Sequence, residues 1–170
     1  LGNQFLANIR ECDAIIHVLR CFDDENVVHV DGSVNPVRDK EIIDAELQLK
    51  DLETVESRIQ KCEKAAKAGG DKFAKLQLEV LAKYREALSQ GKNARTVELE
   101  NKDQEAAAKD LFLLTNKPVM YVCNVDEGAA VTGNAYVEQV KEAVKDEDAQ
   151  VLVLAAKIES EIAELETYEE

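Results

Sequence analysis

The sequence predicts an α/β fold: a short parallel sheet interrupted by an antiparallel helical hairpin. Three observations carry that expectation. Apolar runs of strand length at 14–19, 119–123 and 151–154 alternate with segments of helical period, the pattern of parallel α/β folds. Leu52, Val55, Ile59, Cys62 and Ala66 follow a 3-4-3-4 spacing, which is a heptad seam. Gly69-Gly70 then separates this seam from a second apolar stripe, Phe73, Leu76, Val80, Tyr84 and Leu88, as in a helical hairpin.

Taken in order, residues 1–12 place Leu1, Phe5, Leu6 and Ile9 on one helical face. Ala14-Ile15-Ile16-His17-Val18-Leu19 is short and rich in branched residues, which predicts a buried strand. His17 lies inside that run and reads as a core or strand-end histidine rather than a catalytic one. Residues 21–39 hold Asp, Asn, Gly and Pro without periodicity and read as a loop. His29 lies there with no nearby Cys or second His to make a metal site. A helix is expected from about Asp39 to Ala68, with Asp71 as N-cap of the next one. The seam is only two to three heptads long, so an intramolecular hairpin is preferred to a long intermolecular coiled coil. Beyond Gly91, the stretch from Glu105 through Leu114 reads as helix, ended by Asn116-Lys117-Pro118. Val119–Cys123 is the second strand, 134–146 a helix, and 151–154 the third strand. Ile158, Ile162 and Leu165 mark a last acidic helix.

The chain has 170 residues, 45% of them apolar, which suits a globular core rather than disorder. No run approaches about 18 consecutive apolar residues, so no membrane span is expected. Cys12, Cys21, Cys62 and Cys123 show no CxxC pair. Four buried free thiols in a reducing cytosol are expected. The formal charge of −14 argues against a uniformly basic nucleic-acid binder, but the charge is unevenly spread. Residues 58–95 sum to +6, leaving −20 for the rest. Lys61, Lys64 and Lys67, with Lys72 and Lys75 across the turn, would crowd near the tip of the hairpin. Such lysines serve either as a solvated helix surface or as a contact for a polyanion such as RNA.

In parallel sheets, ligands bind beyond the carboxyl ends of the strands. Two loops lie at such ends: 124–127 and 155–157. An Asn directly after a buried strand can tie loops together through both ends of its amide. A carboxylate three residues later can accept from the donors of a purine edge. A second loop of small residues and a Lys leaves room for a flat base. Ordinary surface loops would look the same by composition.

The order Leu1-Gly2-Asn3-Gln4-Phe5-Leu6-Ala7-Asn8-Ile9-Arg10, then Asp13 through Phe22, Asp51-Leu52-Glu53-Thr54-Val55-Glu56, Lys117-Pro118, Asn124-Val125-Asp126-Glu127 and Ala156-Lys157-Ile158-Glu159 resembles YchF-type, Obg-like ATPases of the Obg family of P-loop NTPases. The resemblance covers nearly the whole chain. It implies an incomplete Rossmann-like P-loop NTPase G domain with a helical-hairpin (coiled-coil) insert. The segments would be 1–44 as one part of the G domain, 45–100 as the hairpin, and 101–170 as the base-recognition half.

The resemblance further implies that Asn124, Val125 and Glu127 hold the nucleotide base, with Ala155, Ala156 and Lys157 beneath it. The family's guanine-reading NKxD becomes Asn124-Val125-Asp126-Glu127 here, a replacement that accompanies ATP preference over GTP. Lengthening Asp to Glu shifts the acceptor away from guanine's paired donors, at a cost of about 1–3 kcal/mol for lost pairing. The loop usually written SAK is Ala155-Ala156-Lys157. Lys61, Lys64, Lys67, Lys72 and Lys75 would contact the ribosome or its RNA. The implied protein is a cytoplasmic ATPase acting in translation or stress regulation, with ATP and Mg2+ and without membrane or DNA partners. Neither GxxxxGK[ST] nor DxxG occurs in the sequence. Leu1 is not Met, so the chain reads as a piece of a longer protein, expected to lack ATP hydrolysis by itself, with Mg2+ ligands and a TGS domain lying elsewhere. A non-catalytic interaction module on an α/β scaffold, and a conventional GTPase, are the alternative readings.

Overall fold

The computed structural model of the protein describes residues 1–23 and 33–165. From the N-terminus the elements are α1 (Asn3–Glu11), β1 (Ile15–Arg20), α2 (Pro36–Gly69), α3 (Lys72–Ser89), α4 (Lys102–Ala108), β2 (Val119–Asn124), α5 (Ala135–Val144), β3 (Val151–Leu154) and α6 (Ala156–Ala163). Single 3-10 turns lie at Ala94–Thr96, Leu114–Asn116 and Glu127–Ala129. The chain forms two compact units. One comprises residues 1–14 and 42–118, the other residues 15–41 and 119–170.

The first unit is the hairpin with its supports. Val55, Ile59 and Cys62 of α2 face Val80, Leu81, Tyr84 and Leu88 of α3 in one core that also takes in Ala107, Leu111 and Leu113. Each large apolar side chain buried there contributes about 1.5–3 kcal/mol. The heptad seam is therefore the packed face, as its spacing requires. Gly70, at φ 64°, supplies the left-handed turn between the helices. Asp71 caps α3 by accepting from the Phe73 N–H at 2.9 Å. Within the second stripe, Ala74 is buried whereas Phe73 is 50% exposed. In α1, Leu6 is buried but Phe5 is exposed, as is Leu1 before the helix.

Several expectations are corrected. α2 begins at Pro36 rather than near Asp39. Asn35 accepts from the Arg38 N–H at 3.0 Å and Pro36 takes the first helical position, where its missing N–H costs nothing. The helix expected up to Leu114 stops at Ala108. Further on, the segment forms a 3-10 turn held by a residue distant in sequence. Asp51, fully buried on α2, accepts from the N–H groups of Leu114 (2.7 Å) and Thr115 (2.8 Å) and from the Thr115 hydroxyl (2.7 Å). Thr115 in turn accepts from the Ala94 N–H at 2.8 Å. Those donors are thereby withheld from a helix, and Phe112 takes φ 49°. Burial pushes the Asp51 carboxyl above the usual range, opposed by these same hydrogen bonds. Cys12 is exposed, whereas Cys21, Cys62 and Cys123 are buried.

The second unit holds the sheet, ordered β1-β2-β3 and parallel throughout. Arg20, Asn124 and Leu154 stand in one register row at its carboxyl end. Leu19, Cys21, Tyr121 and Cys123 pack with Val137, Val140 and Val144 of α5. Asn134 caps α5 by accepting from the Val137 N–H at 3.0 Å. β1 is not the fully buried strand expected: Leu19 is 1% exposed, but Ile16 and Val18 on the opposite face are 62% and 60% exposed. His17 is half-buried, its ring 5.9 Å from that of Tyr121. His29, within the expected 21–39 loop, lies outside the described residues.

Asp51→Ala leaves three buried donors without their acceptor and is expected to lower the unfolding free energy by about 3 kcal/mol or more. Urea denaturation measures this; a loss below about 1 kcal/mol would show that the carboxylate does not organise the segment after α4.

Candidate nucleotide-binding cleft

The carboxyl ends of the three strands open onto a cleft of about 480 Å³, within the range of small-molecule sites. Its rim is built from the loop after each strand: Phe22 and Asp23 after β1, Asn124 through Glu127 after β2, and Ala155, Lys157, Ile158 and Glu161 after β3.

Asn124 is the last residue of β2 and holds the rim together. Its carbonyl accepts from the Cys21 N–H at 2.8 Å, and its side-chain Oδ1 accepts from the Ala156 N–H at 3.0 Å. The next residue, Val125, donates its N–H to the Leu154 carbonyl at 2.9 Å. The loop-tying role expected of an Asn at this position is thus visible, with one side-chain bond doing the tying. Asp126 and Glu127 then separate in role. Asp126 accepts from the Ala129 N–H at 3.0 Å, which commits it to capping its own 3-10 turn. Glu127 is exposed at the cleft and has no ion pair among the described residues.

The structure brings Asn124, Val125, Glu127, Ala155 and Lys157 to one cleft. Ala156 contributes its N–H to Asn124 rather than surface to the wall. Val125 touches the cleft but is 3% exposed and belongs to the core beneath it. It supplies floor, with little apolar surface to offer a ligand. Lys157 is exposed at the start of α6. The five hairpin lysines are exposed on the other unit and make no ion pair among the described residues.

Phe22 and Asp23 were not singled out as site residues from sequence. The rule that ligands sit at strand carboxyl ends applies to β1 as well, and it marks both. The Arg20 guanidinium stands 5.0 Å from the centre of the Phe22 ring, and its Nε donates to the Phe22 carbonyl at 3.1 Å. The Tyr136 hydroxyl donates to Asp23 at 2.8 Å, which pushes the Tyr136 pKa up. The thiols of Cys21 and Cys123 are both buried in the core of this unit. No group of three or more His, Cys, Asp or Glu among the described residues is arranged to hold a metal ion.

This fold is similar to that of a YchF GTPase of Schizosaccharomyces pombe. The chain matches that structure with a TM-score of 0.85 at 30% identity, over 99% of its own length and 46% of the other chain. By sequence it is 50% identical over 168 residues to the ribosome-binding ATPase YchF of Bacillus subtilis, covering 98% of this chain and 45% of that protein. It is 46% identical over 169 residues to YchF of Escherichia coli O157:H7, covering 99% and 46%. It is also 41% identical over 157 residues to Obg-like ATPase 1 of Danio rerio, covering 91% and 39%. No family model matches the sequence. The chain belongs to the YchF-type, Obg-like family, and spans less than half the length of the relatives it matches.

Asn124→Ala removes the acceptor for the Ala156 N–H and is expected to speed hydrogen exchange of that amide by about tenfold, the equivalent of a hydrogen bond worth about 1.4 kcal/mol. Exchange measured by NMR at residue 156 checks this; an unchanged rate would show that Asn124 does not hold the third loop.

Proposed function

We propose that the cleft is the base-recognition end of a purine-nucleotide site, and that the parent protein is a ribosome-associated ATPase that prefers ATP to GTP. The observation that carries this reading is the pairing of a fixed Asn124 with an uncommitted Glu127. The Asn124 side chain holds the Ala155–Lys157 loop at one side of the cleft, while Glu127 stands free at the other.

The chemistry of the rim fits a base better than a phosphate chain. Asp23, Asp126, Glu127 and Glu161 line the cleft against a single lysine, Lys157. Four carboxylates would repel a triphosphate, but they suit the amino edge of a purine. Phe22 gives one flat face of a base something apolar to lie against. Guanine recognition uses a carboxylate placed to accept from N1–H and N2–H together. Adenine has only its exocyclic amine to give, and the longer Glu127 side chain suits one acceptor contact rather than a matched pair. Phosphate and Mg2+ binding fall to groups other than these. Among the described residues, no cluster of His, Cys, Asp or Glu is arranged to hold the metal.

In this reading the segments 1–44 and 101–170 belong to a Rossmann-like G domain, with 45–100 as its hairpin insert, and this part of the protein does not turn over ATP alone. The names of the bacterial relatives, ribosome-binding ATPases, support ribosome association and a cytoplasmic setting. Among the described residues, no helix is long and apolar enough to cross a membrane. Lys61, Lys64, Lys67, Lys72 and Lys75 are the surface proposed to meet ribosomal RNA, by counterion release from phosphates.

Glu127→Asp in the full-length protein is expected to improve GTP relative to ATP by about 5- to 100-fold, the range of one gained or lost buried pairing. Competition between the two nucleotides for a fluorescent analogue reads this. If Glu127→Asp and Glu127→Gln both leave the ATP/GTP ratio unchanged, Glu127 does not read the base. Val125→Lys is a poor companion change, because it places a charge in the core under the cleft.

A further inference from the structure

Phe73 is an aromatic residue at a position of apolar period, yet its neighbour Ala74 takes the core and Phe73 stays 50% exposed. It does not stand alone. With Leu76 of α3 and Ala106 of α4 it walls a shallow hollow of about 250 Å³, flanked by Lys72 and Asp103. An exposed ring beside a small apolar hollow suits a planar aromatic group. The charge around it suits a polyanion: Lys72 and Lys75 on α3 and Lys102 at the start of α4 are exposed, and residues 58–95 carry +6 within a chain of −14. Asp103 is the one acid on the rim. It would repel a phosphate, but can accept from the exocyclic amine of a base.

We infer that this hollow takes an unpaired nucleobase of an RNA, stacked on Phe73, with Lys72 and the neighbouring lysines on the flanking phosphates and Asp103 on the base edge. Unpaired bases are the part of an RNA that aromatic side chains can reach. Duplex bases are already stacked, and the deep groove of A-form RNA shields their edges. A protein partner would need a broader apolar patch than one ring and two small neighbours. The inference rests on the reading that the hairpin meets RNA, and assigns the part of the RNA that it reads.

The test is anisotropy of the whole chain with two labelled probes, a stem-loop RNA with an unpaired loop and a fully paired RNA duplex. Circular dichroism serves as a fold control. Phe73→Ala is expected to weaken stem-loop binding by about tenfold, within the range for loss of one base–aromatic stack, and to leave duplex binding and the salt slope unchanged. Phe73→Trp should retain stem-loop binding. Reversing Lys64, Lys67 and Lys72 to Glu should weaken both probes and flatten the salt dependence. If the lysine reversals act but Phe73→Ala does not, the base slot is overturned while RNA contact by the hairpin stands. If neither acts, the RNA reading itself fails, and the slot with it. If Phe73→Ala spares both RNAs but abolishes ribosome co-sedimentation of the full-length protein, a protein surface occupies the hollow and the inference is overturned.

Discussion

Asn124 is the constraint on which the candidate site depends. It ends the central strand of a three-stranded parallel sheet, so its backbone and side chain face the ends of both neighbouring strands. Its carbonyl takes the Cys21 N–H and its side chain takes the Ala156 N–H. One residue thereby ties the segments that follow β1 and β3 to the end of β2. Each such bond is worth about 1 kcal/mol net, and for Cys21, which is buried, leaving the N–H unmet would cost about 1–3 kcal/mol. The loops are therefore held close to one arrangement, and a cleft rim with few alternatives is a preorganised one. Asp126 is occupied with the 3-10 turn that presents Glu127.

The hairpin unit obeys the same logic with a different residue. Asp51 is a buried carboxylate whose three donors all come from the segment after α4. It holds the start of the 3-10 turn at Leu114–Asn116. The two units also divide the charge. The cleft is lined mainly by carboxylates, whereas the basic residues concentrate on the hairpin. A single net charge of −14 describes neither surface. The first suits donors on a base and the second suits phosphates.

What was legible in the sequence follows from how local each cause is. The three strands, the heptad seam, the Gly-Gly turn and the Asp71 cap all depend on neighbours within a few residues, and all are present. Pro36 could have been read as a helix start, because Asn-Pro is a cap followed by a first-turn proline. The 3-10 turn at Leu114–Asn116 could not, because the carboxylate that holds it, Asp51, is more than 60 positions away. The site residues after β2 and β3 stood out through their pattern. Phe22 and Asp23 did not, because nothing in a Phe-Asp pair marks it until β1 is known to lie beside β2. Burial was the least legible property. Composition alone does not separate Val125, sunk in the core, from Val18, exposed on the sheet.

The proposed adenine preference of the cleft is tested most directly by amide chemical-shift mapping of the chain titrated with ATP and, separately, GTP. The expected result is that ATP shifts cluster at Phe22, Val125, Glu127, Ala156 and Lys157 at lower ligand concentration than GTP, with the α3 amides unmoved. Equal responses to the two nucleotides would contradict the preference. Shifts confined to residues away from the strand ends would contradict the site.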